Sequence, residues 1–123
     1  MDDYSTEEIE NALLMVLSLI SRCEKQQPKF AAGTSQYTLL QNRMKALYMS
    51  KSLLQGEKIT GTYTKEDLAK ALPPIISIIS KCEKAQLNCT EGTAQYTRLN
   101  KIMAAMTISK SLIEKEISER QKN

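Results

Sequence analysis

The residues best suited to binding chemistry lie in a short stretch that occurs twice, as GTSQYT at 33–38 and as GTAQYT at 92–97. In each copy a glycine and a threonine stand where a helix is expected to begin. The start of a helix exposes unpaired backbone N–H groups and the positive end of the helix dipole, so it favours an anion. The glycine lets a ligand approach the backbone closely. The repeated stretch therefore predicts two equivalent sites for an anionic small molecule such as a nucleotide.

Side chains around each stretch would complete such a site. Glutamine and tyrosine offer polar contacts, nearby basic residues neutralise charge, and a glutamate can accept a hydrogen bond from a ligand hydroxyl or base edge. The candidate residues are Arg22, Glu24, Lys25, Gly33, Thr34, Gln36 and Tyr37 for the first site, and Lys81, Glu83, Lys84, Gly92, Thr93, Gln95 and Tyr96 for the second. A purely structural interpretation stays open, in which threonine caps a helix, glycine turns the chain, and glutamate bonds to a tyrosine of its own hairpin.

Enzymatic chemistry is not expected from this sequence. The chain has no histidine, which is the commonest general base and the commonest metal ligand. Cys82 and Cys89 are close in sequence, but their spacing does not suit a zinc site. The runs SKSL at 50–53 and 109–112 have no base and no nucleophile-elbow glycines beside them, so we expect their serines on a helix surface. We predict no catalytic residue, no metal site and no cofactor.

Composition narrows the class of protein and of partner. The chain has 123 residues and a net charge of +3, a length that fits one domain with a core of its own. Its basic residues are scattered among acidic ones and form no recognised module, which argues against nucleic-acid binding. Three cysteines are an odd number, which argues against a disulfide framework and suits a reducing compartment.

Targeting and membrane segments are not expected either. The acidic start, MDD, does not form the basic segment of a secretion signal. The longest apolar run, Ala12–Leu17, is too short to span a bilayer. We therefore expect a cytoplasmic protein without a membrane segment.

The elements that position the candidate residues are themselves duplicated. The triplet Cys-Glu-Lys precedes both candidate stretches, and SKSL follows both, always 59 positions apart. Aligning Tyr4–Glu57 on Tyr63–Glu116 gives about 24 identities in 54 positions, which indicates a duplicated structural unit. We therefore predict one domain, 1–123, with internal repeats 4–57 and 63–116 and a linker at 58–62.

Each repeat has the pattern of a helical hairpin. Ser5 with Glu8, and Thr64 with Asp67, are capping boxes that open the first helix of each repeat. Apolar residues then recur at helical spacing, and one hairpin alone cannot cover its apolar stripe. The sequence therefore predicts an all-α four-helix bundle of two tandem hairpins about an approximate internal two-fold axis. Pro73-Pro74 predicts a kink or a split in the third helix.

Three kinds of role are compatible with such a bundle: ligand binding, protein–protein interaction and a purely structural role. The tandem hairpins resemble small helical proteins of Gram-positive bacteria and their phages, which implies a bacterial or phage origin and assigns no functional residue. The favoured hypothesis is a non-enzymatic binding protein that senses or sequesters an anionic small molecule such as a nucleotide. The alternative is a protein–protein interaction module of the immunity, antitoxin or regulatory adaptor type. The third possibility is a homodimer whose role is structural.

Overall fold

The computed structural model describes residues 4–122, so the acidic start at residues 1–3 and Asn123 lie outside the described residues. Within that range the chain contains no strand, and its predicted all-α four-helix class is confirmed. No helix among the described residues is long and apolar enough to cross a membrane. The four helices are α1 (Thr6–Gln26), α2 (Ser35–Leu54), α3 (Lys65–Gln86) and α4 (Ala94–Gln121), and a short 3-10 helix, Gln27–Lys29, follows α1.

Local hydrogen bonds set the starts of α1 and α3. The Ser5 hydroxyl accepts the N–H of Glu8 at 3.0 Å, and the Ser5 N–H donates to the Glu8 carboxylate at 2.9 Å. Thr64 and Asp67 form the same reciprocal pair at the start of α3. These bonds satisfy donors that a helix start leaves unpaired, at about 1 kcal/mol per cap. The predicted capping boxes are therefore both present.

Helix α3 continues without a break through Pro73 and Pro74, so the predicted split is wrong, while the kink stays a prediction. The two prolines lack the N–H groups that would bond to the carbonyls of Ala69 and Lys70. Both of those residues are exposed, so water can solvate the carbonyls. The opposite, buried side of α3 packs against α2 and α4, and this packing keeps the helix continuous.

The helices pack so that α1 and α3 each contact both α2 and α4, while α2 and α4 also meet across the centre. Short connections place consecutive helices antiparallel, so α1 and α4 run antiparallel as well. Ser50 and Ser109 lie fully buried in this centre and donate to the carbonyls of Ala46 and Ala105 at 2.9 and 2.8 Å. The expectation that these serines lie on the surface is wrong. Their small size permits close helix packing, and each hydroxyl is satisfied within its own helix.

The linker between the hairpins is held by the end of α4. Ile59 is buried, and the Arg120 guanidinium donates to the carbonyl oxygens of Ile59 and Tyr63 at 3.1 and 2.6 Å. Arg120 also pairs with Glu116 at 3.0 Å. The last turns of α4 thus fix the connection between the two hairpins, and in the described part of the first repeat this contact has no counterpart.

Local geometry is similar at several positions that lie 59 residues apart. Gly33 and Gly92 have φ angles of 90° and 87°, values that favour glycine, and each precedes the N-cap threonine of α2 or α4. The serine hydrogen bonds of α2 and α4 correspond in the same way. The internal two-fold axis and the repeat boundaries stay predictions, and these correspondences agree with them.

Candidate functional site

The repeated glycine–threonine stretches form helix starts. The Thr34 hydroxyl accepts the N–H of Tyr37, and the Thr93 hydroxyl accepts the N–H of Tyr96, both at 3.2 Å. Both tyrosines are half-buried. The stretches therefore act as caps and turns, and a ligand-binding role for them stays a prediction.

The other predicted loop-site residues lie on the surface. Gln36 and Gln95 are exposed, and so are Lys25 and Lys84 in the last turns of α1 and α3. None of these four residues lines the cavity or the two grooves described below. These four side chains are therefore solvated. Any ligand that they bound would lie on an open surface.

The two glutamates of the predicted sites have different surroundings. Glu24 accepts a hydrogen bond from the Tyr48 hydroxyl at 2.6 Å, the contact with a tyrosine of its own hairpin that the structural interpretation required. This hydrogen bond is the main cause of the raised pKa of Tyr48, and burial adds to it. At the position equivalent to Tyr48 the second repeat has Thr107, so Glu83 lacks the corresponding partner.

A cavity of about 260 Å³ lies where the C-terminal halves of α1 and α3 meet α2 and α4, and we call it the central cavity. All four helices contribute to its wall. Four pairs of lining residues are 59 positions apart, so the two halves of the chain share the cavity. It is lined by Leu19, Arg22, Cys23, Gln26, Arg43, Leu47, Ile78, Lys81, Cys82, Leu99 and Ile102.

Three basic residues line the central cavity, and no carboxylate of residues 4–122 does. Arg22 and Lys81, predicted for two separate sites, both lie on this one cavity. Arg43 is the third basic residue, and our sequence analysis missed it. The sequence did indicate it, because Arg43 is a basic residue within the apolar stripe of α2, between the buried Leu40 and Leu47.

The Arg43 side chain carries a buried donor without a partner. Its Nε atom is inaccessible to solvent and makes no hydrogen bond within the described chain. Buried polar groups nearly always have partners, and leaving one unsatisfied costs about 1–3 kcal/mol. An acceptor from outside the chain would lower the free energy of this site once the guanidinium turned to expose Nε to the cavity.

The thiols of the central cavity are not activated. Cys23 and Cys82 are buried, and burial is the main cause that raises the pKa of each. The positive charges of Arg43 and Arg22 oppose that effect at Cys23 without overcoming it. Protonated thiols are poor nucleophiles and poor metal ligands. Among residues 4–122, moreover, no group of three or more histidine, cysteine or acidic side chains is placed to hold a metal ion.

Two surface grooves occupy positions that correspond through the 59-residue offset. The α1/α4 groove has a volume of about 440 Å³ and the α2/α3 groove about 180 Å³. Lys45 spans the smaller groove and pairs with Asp67 at 2.8 Å, which is the main reason that the pKa of Asp67 falls to about 2. In the larger groove Glu8 stands at the position of Asp67, but Ala104 stands at the position of Lys45. Among residues 4–122, the ion pair that crosses the α2/α3 groove therefore has no equivalent in the α1/α4 groove.

Comparison of the chain with protein-family models, with curated proteins and with solved structures finds no match. The geometry of the central cavity and of the two grooves is therefore the basis for assigning a function.

Proposed function

We propose that the protein is a non-enzymatic binding protein that senses or sequesters an anionic small molecule, such as a nucleotide, in the central cavity. The observation that carries the proposal is the buried, unpartnered Nε of Arg43, in a cavity that Arg22 and Lys81 also line. A guanidinium presents its donors in a fork that matches a carboxylate or a phosphate. Since no carboxylate in the described part of the chain lines the cavity, the ligand would supply the negative charge.

The remainder of the cavity wall favours a ligand that also has an apolar or flat portion. Leu47 and Ile102 are buried, and Leu99 is half-buried. Binding pockets for small molecules are typically apolar, with a few polar groups that fix the orientation of the ligand. At about 260 Å³, the central cavity is just below the usual range of roughly 300–1,000 Å³, so it suits a small ligand rather than a dinucleotide.

The exposed positions of Arg22 and Lys81 support a role at the mouth of the cavity. Cations around an opening raise the local concentration of anionic ligands and speed their association. One shared site also favours one ligand per chain over the two that the repeated loops predict. The loop residues stay candidates, and their contribution is separable by mutation.

A cytoplasmic location is part of the proposal. Cys23, Cys82 and Cys89 are all free thiols, and free thiols are typical of a reducing compartment. Nucleotides and phosphorylated metabolites are abundant in such a compartment, which agrees with the proposed ligand class.

The test is calorimetric titration of the full chain with a panel of nucleoside monophosphates, nucleoside triphosphates and sugar phosphates. We expect saturable binding of at least one of these ligands. Arg43→Leu should weaken it about tenfold or more, because it removes charge-assisted hydrogen bonds. The matched control is Gln36→Ala combined with Gln95→Ala, which should leave the affinity unchanged because both residues lie outside the central cavity.

Two further measurements separate lost binding from lost folding. Arg43→Leu should raise the free energy of unfolding by about 1 kcal/mol, since it removes an unsatisfied buried donor. A bound ligand should slow thiol modification of Cys23 and Cys82, which line the cavity, but not of Cys89, which does not. Absence of binding across the panel contradicts the proposal. Binding that only the glutamine double variant abolishes would assign the site to the loops instead.

A further inference from the structure

The α1/α4 groove is larger than its counterpart, the α2/α3 groove, which an ion pair crosses. In the α2/α3 groove, the Lys45 amine reaches Asp67 across the helix interface at 2.8 Å. In the α1/α4 groove, Ala104 stands in place of Lys45, so no equivalent side chain crosses to Glu8. The open groove has a volume of about 440 Å³, which leaves room for side chains of another molecule.

Opposite charges lie at the two ends of this groove. Because α1 and α4 run antiparallel, Glu8 lies beside Ile108, whereas Ser18 lies beside Arg98. The distance from Glu8 to Ser18 along α1 is about 15 Å, at roughly 1.5 Å per residue. Lys101 adds a second cation at the Arg98 end, and within residues 4–122 neither of the two basic residues forms an ion pair. The groove is therefore acidic at one end and basic at the other.

The middle of the groove is apolar. Ala12 and Ala105 are buried in its floor, and Met15 is half-buried. Leu14 stands at its rim with 67% of its surface exposed. Burial of a leucine side chain is a substantial driving force for association, so Leu14 is suited to pack against an apolar floor on another molecule.

We propose that the occupant of the α1/α4 groove is a second copy of this chain, bound groove to groove about a two-fold axis. A two-fold interface uses the same patch on both subunits, so the patch must be complementary to itself. A groove with one acidic and one basic end meets that condition. A two-fold axis perpendicular to the length of the groove exchanges its ends, so Glu8 of each copy faces the partner's Arg98 and the partner's Lys101. Leu14 of each copy then covers the apolar floor of the other.

Sedimentation equilibrium of the full chain over a range of concentrations tests the proposal. We expect a concentration-dependent dimer with twice the chain mass of 13.9 kDa. Leu14→Asp should weaken dimerisation about 100-fold or more, because it removes a buried leucine from each side of the interface. Leu39→Asp is the matched control, since Leu39 is 66% exposed but lies outside the groove. That variant should dimerise as the unmodified chain does.

Two more substitutions test the open groove and its charges directly. Ala104→Lys copies the Lys45–Asp67 pair into the α1/α4 groove and should yield a monomer with unchanged helicity. Glu8→Gln retains the capping hydrogen bond to Ser5 while it removes the charge, so it should weaken the dimer several-fold and reduce its sensitivity to salt.

The proposal is overturned by an unmodified chain that stays monomeric at all concentrations. It is also overturned by a dimer that Leu39→Asp dissociates and Leu14→Asp does not, because the contact would then lie elsewhere. The substituted residues do not line the central cavity, so ligand binding should persist in every variant, and the two proposals can fail independently.

Discussion

The two halves of the chain are alike where helices begin and pack, and they differ at single positions that line the cavity and the grooves. Ser50 and Ser109 make the same buried hydrogen bond in both halves. In contrast, Lys45 of the α2/α3 groove corresponds to Ala104 of the α1/α4 groove. Features common to both halves therefore maintain the hairpins, whereas the differences make the two grooves unequal.

The central cavity likewise combines residues that are equivalent in both halves with a position at which the halves differ. Its two thiols and its two exposed cations come in equivalent pairs, but Arg43 on α2 corresponds to Ile102 on α4. Arg43 therefore adds a third cation on the α2 side of the cavity, where the equivalent position on α4 is apolar. A ligand with a charged end and an apolar end would bind there in a single orientation.

The largest expected effect tests whether the two halves share one core equally. Leu47 and Met106 are equivalent and fully buried, so Leu47→Ala and Met106→Ala should each lower the free energy of unfolding by about 3 kcal/mol. Urea denaturation followed by circular dichroism measures both values. A large loss of stability for only one of the two variants would show that the other half relaxes around the space left by the truncated side chain. The two halves would then contribute unequally to the core.

A smaller effect is expected from a contact that only the second half has. Arg120→Ala should cost about 2 kcal/mol, because it leaves the carbonyl oxygens of Ile59 and Tyr63 without their charged donor. The same denaturation experiment measures the loss. Lys122→Ala, which removes an exposed cation at the end of the same helix, is the control and should change stability little. Equal losses for the two variants would mean that the linker is held by other contacts.

The features that sequence predicts correctly are those decided within a few residues. The capping boxes at Ser5 and Thr64 depend on hydrogen bonds between residues three positions apart, and the apolar stripes depend on helical spacing. Both can be recognised without knowing which helices meet. The four-helix class follows from them, because an amphipathic hairpin needs a partner surface.

The features that sequence did not predict depend on which helix faces are brought together. Arg22 and Lys81 belong to different repeats, and only the packing of all four helices places them on one cavity. The burial of Ser50 likewise depends on the approach of α2 to α4. Arg120 bonds to residues 57 and 61 positions earlier in the chain. No local pattern encodes contacts of such separation.

The smallest expected effect concerns the ion pair that distinguishes the two grooves. The Lys45 hydrogen bond is the largest cause that lowers the pKa of Asp67 from 3.8 to about 2. Because the folded state holds this pKa below its ordinary value, the carboxylate stabilises the fold above pH 3.8, and this stabilisation is lost as the pH falls toward about 2. Asp67→Asn should therefore lower the melting temperature slightly at pH 6 and have almost no effect near pH 2. Thermal melts of both proteins across that range give the difference.

The control for this experiment removes Lys45, which is the partner of Asp67 in the ion pair. In a Lys45→Ala background, which imitates Ala104, the pKa of Asp67 should rise toward 3.8, because only the hydrogen bonds at Thr64 remain to lower it. Asp67→Asn should then cost less at pH 6, and its effect should disappear at a higher pH than in the parent chain. An unchanged pH dependence would mean that the capping hydrogen bonds alone hold the carboxylate ionised. In that case the Lys45–Asp67 pair would not account for the closed groove, and the smaller volume of the α2/α3 groove would have to follow from helix packing.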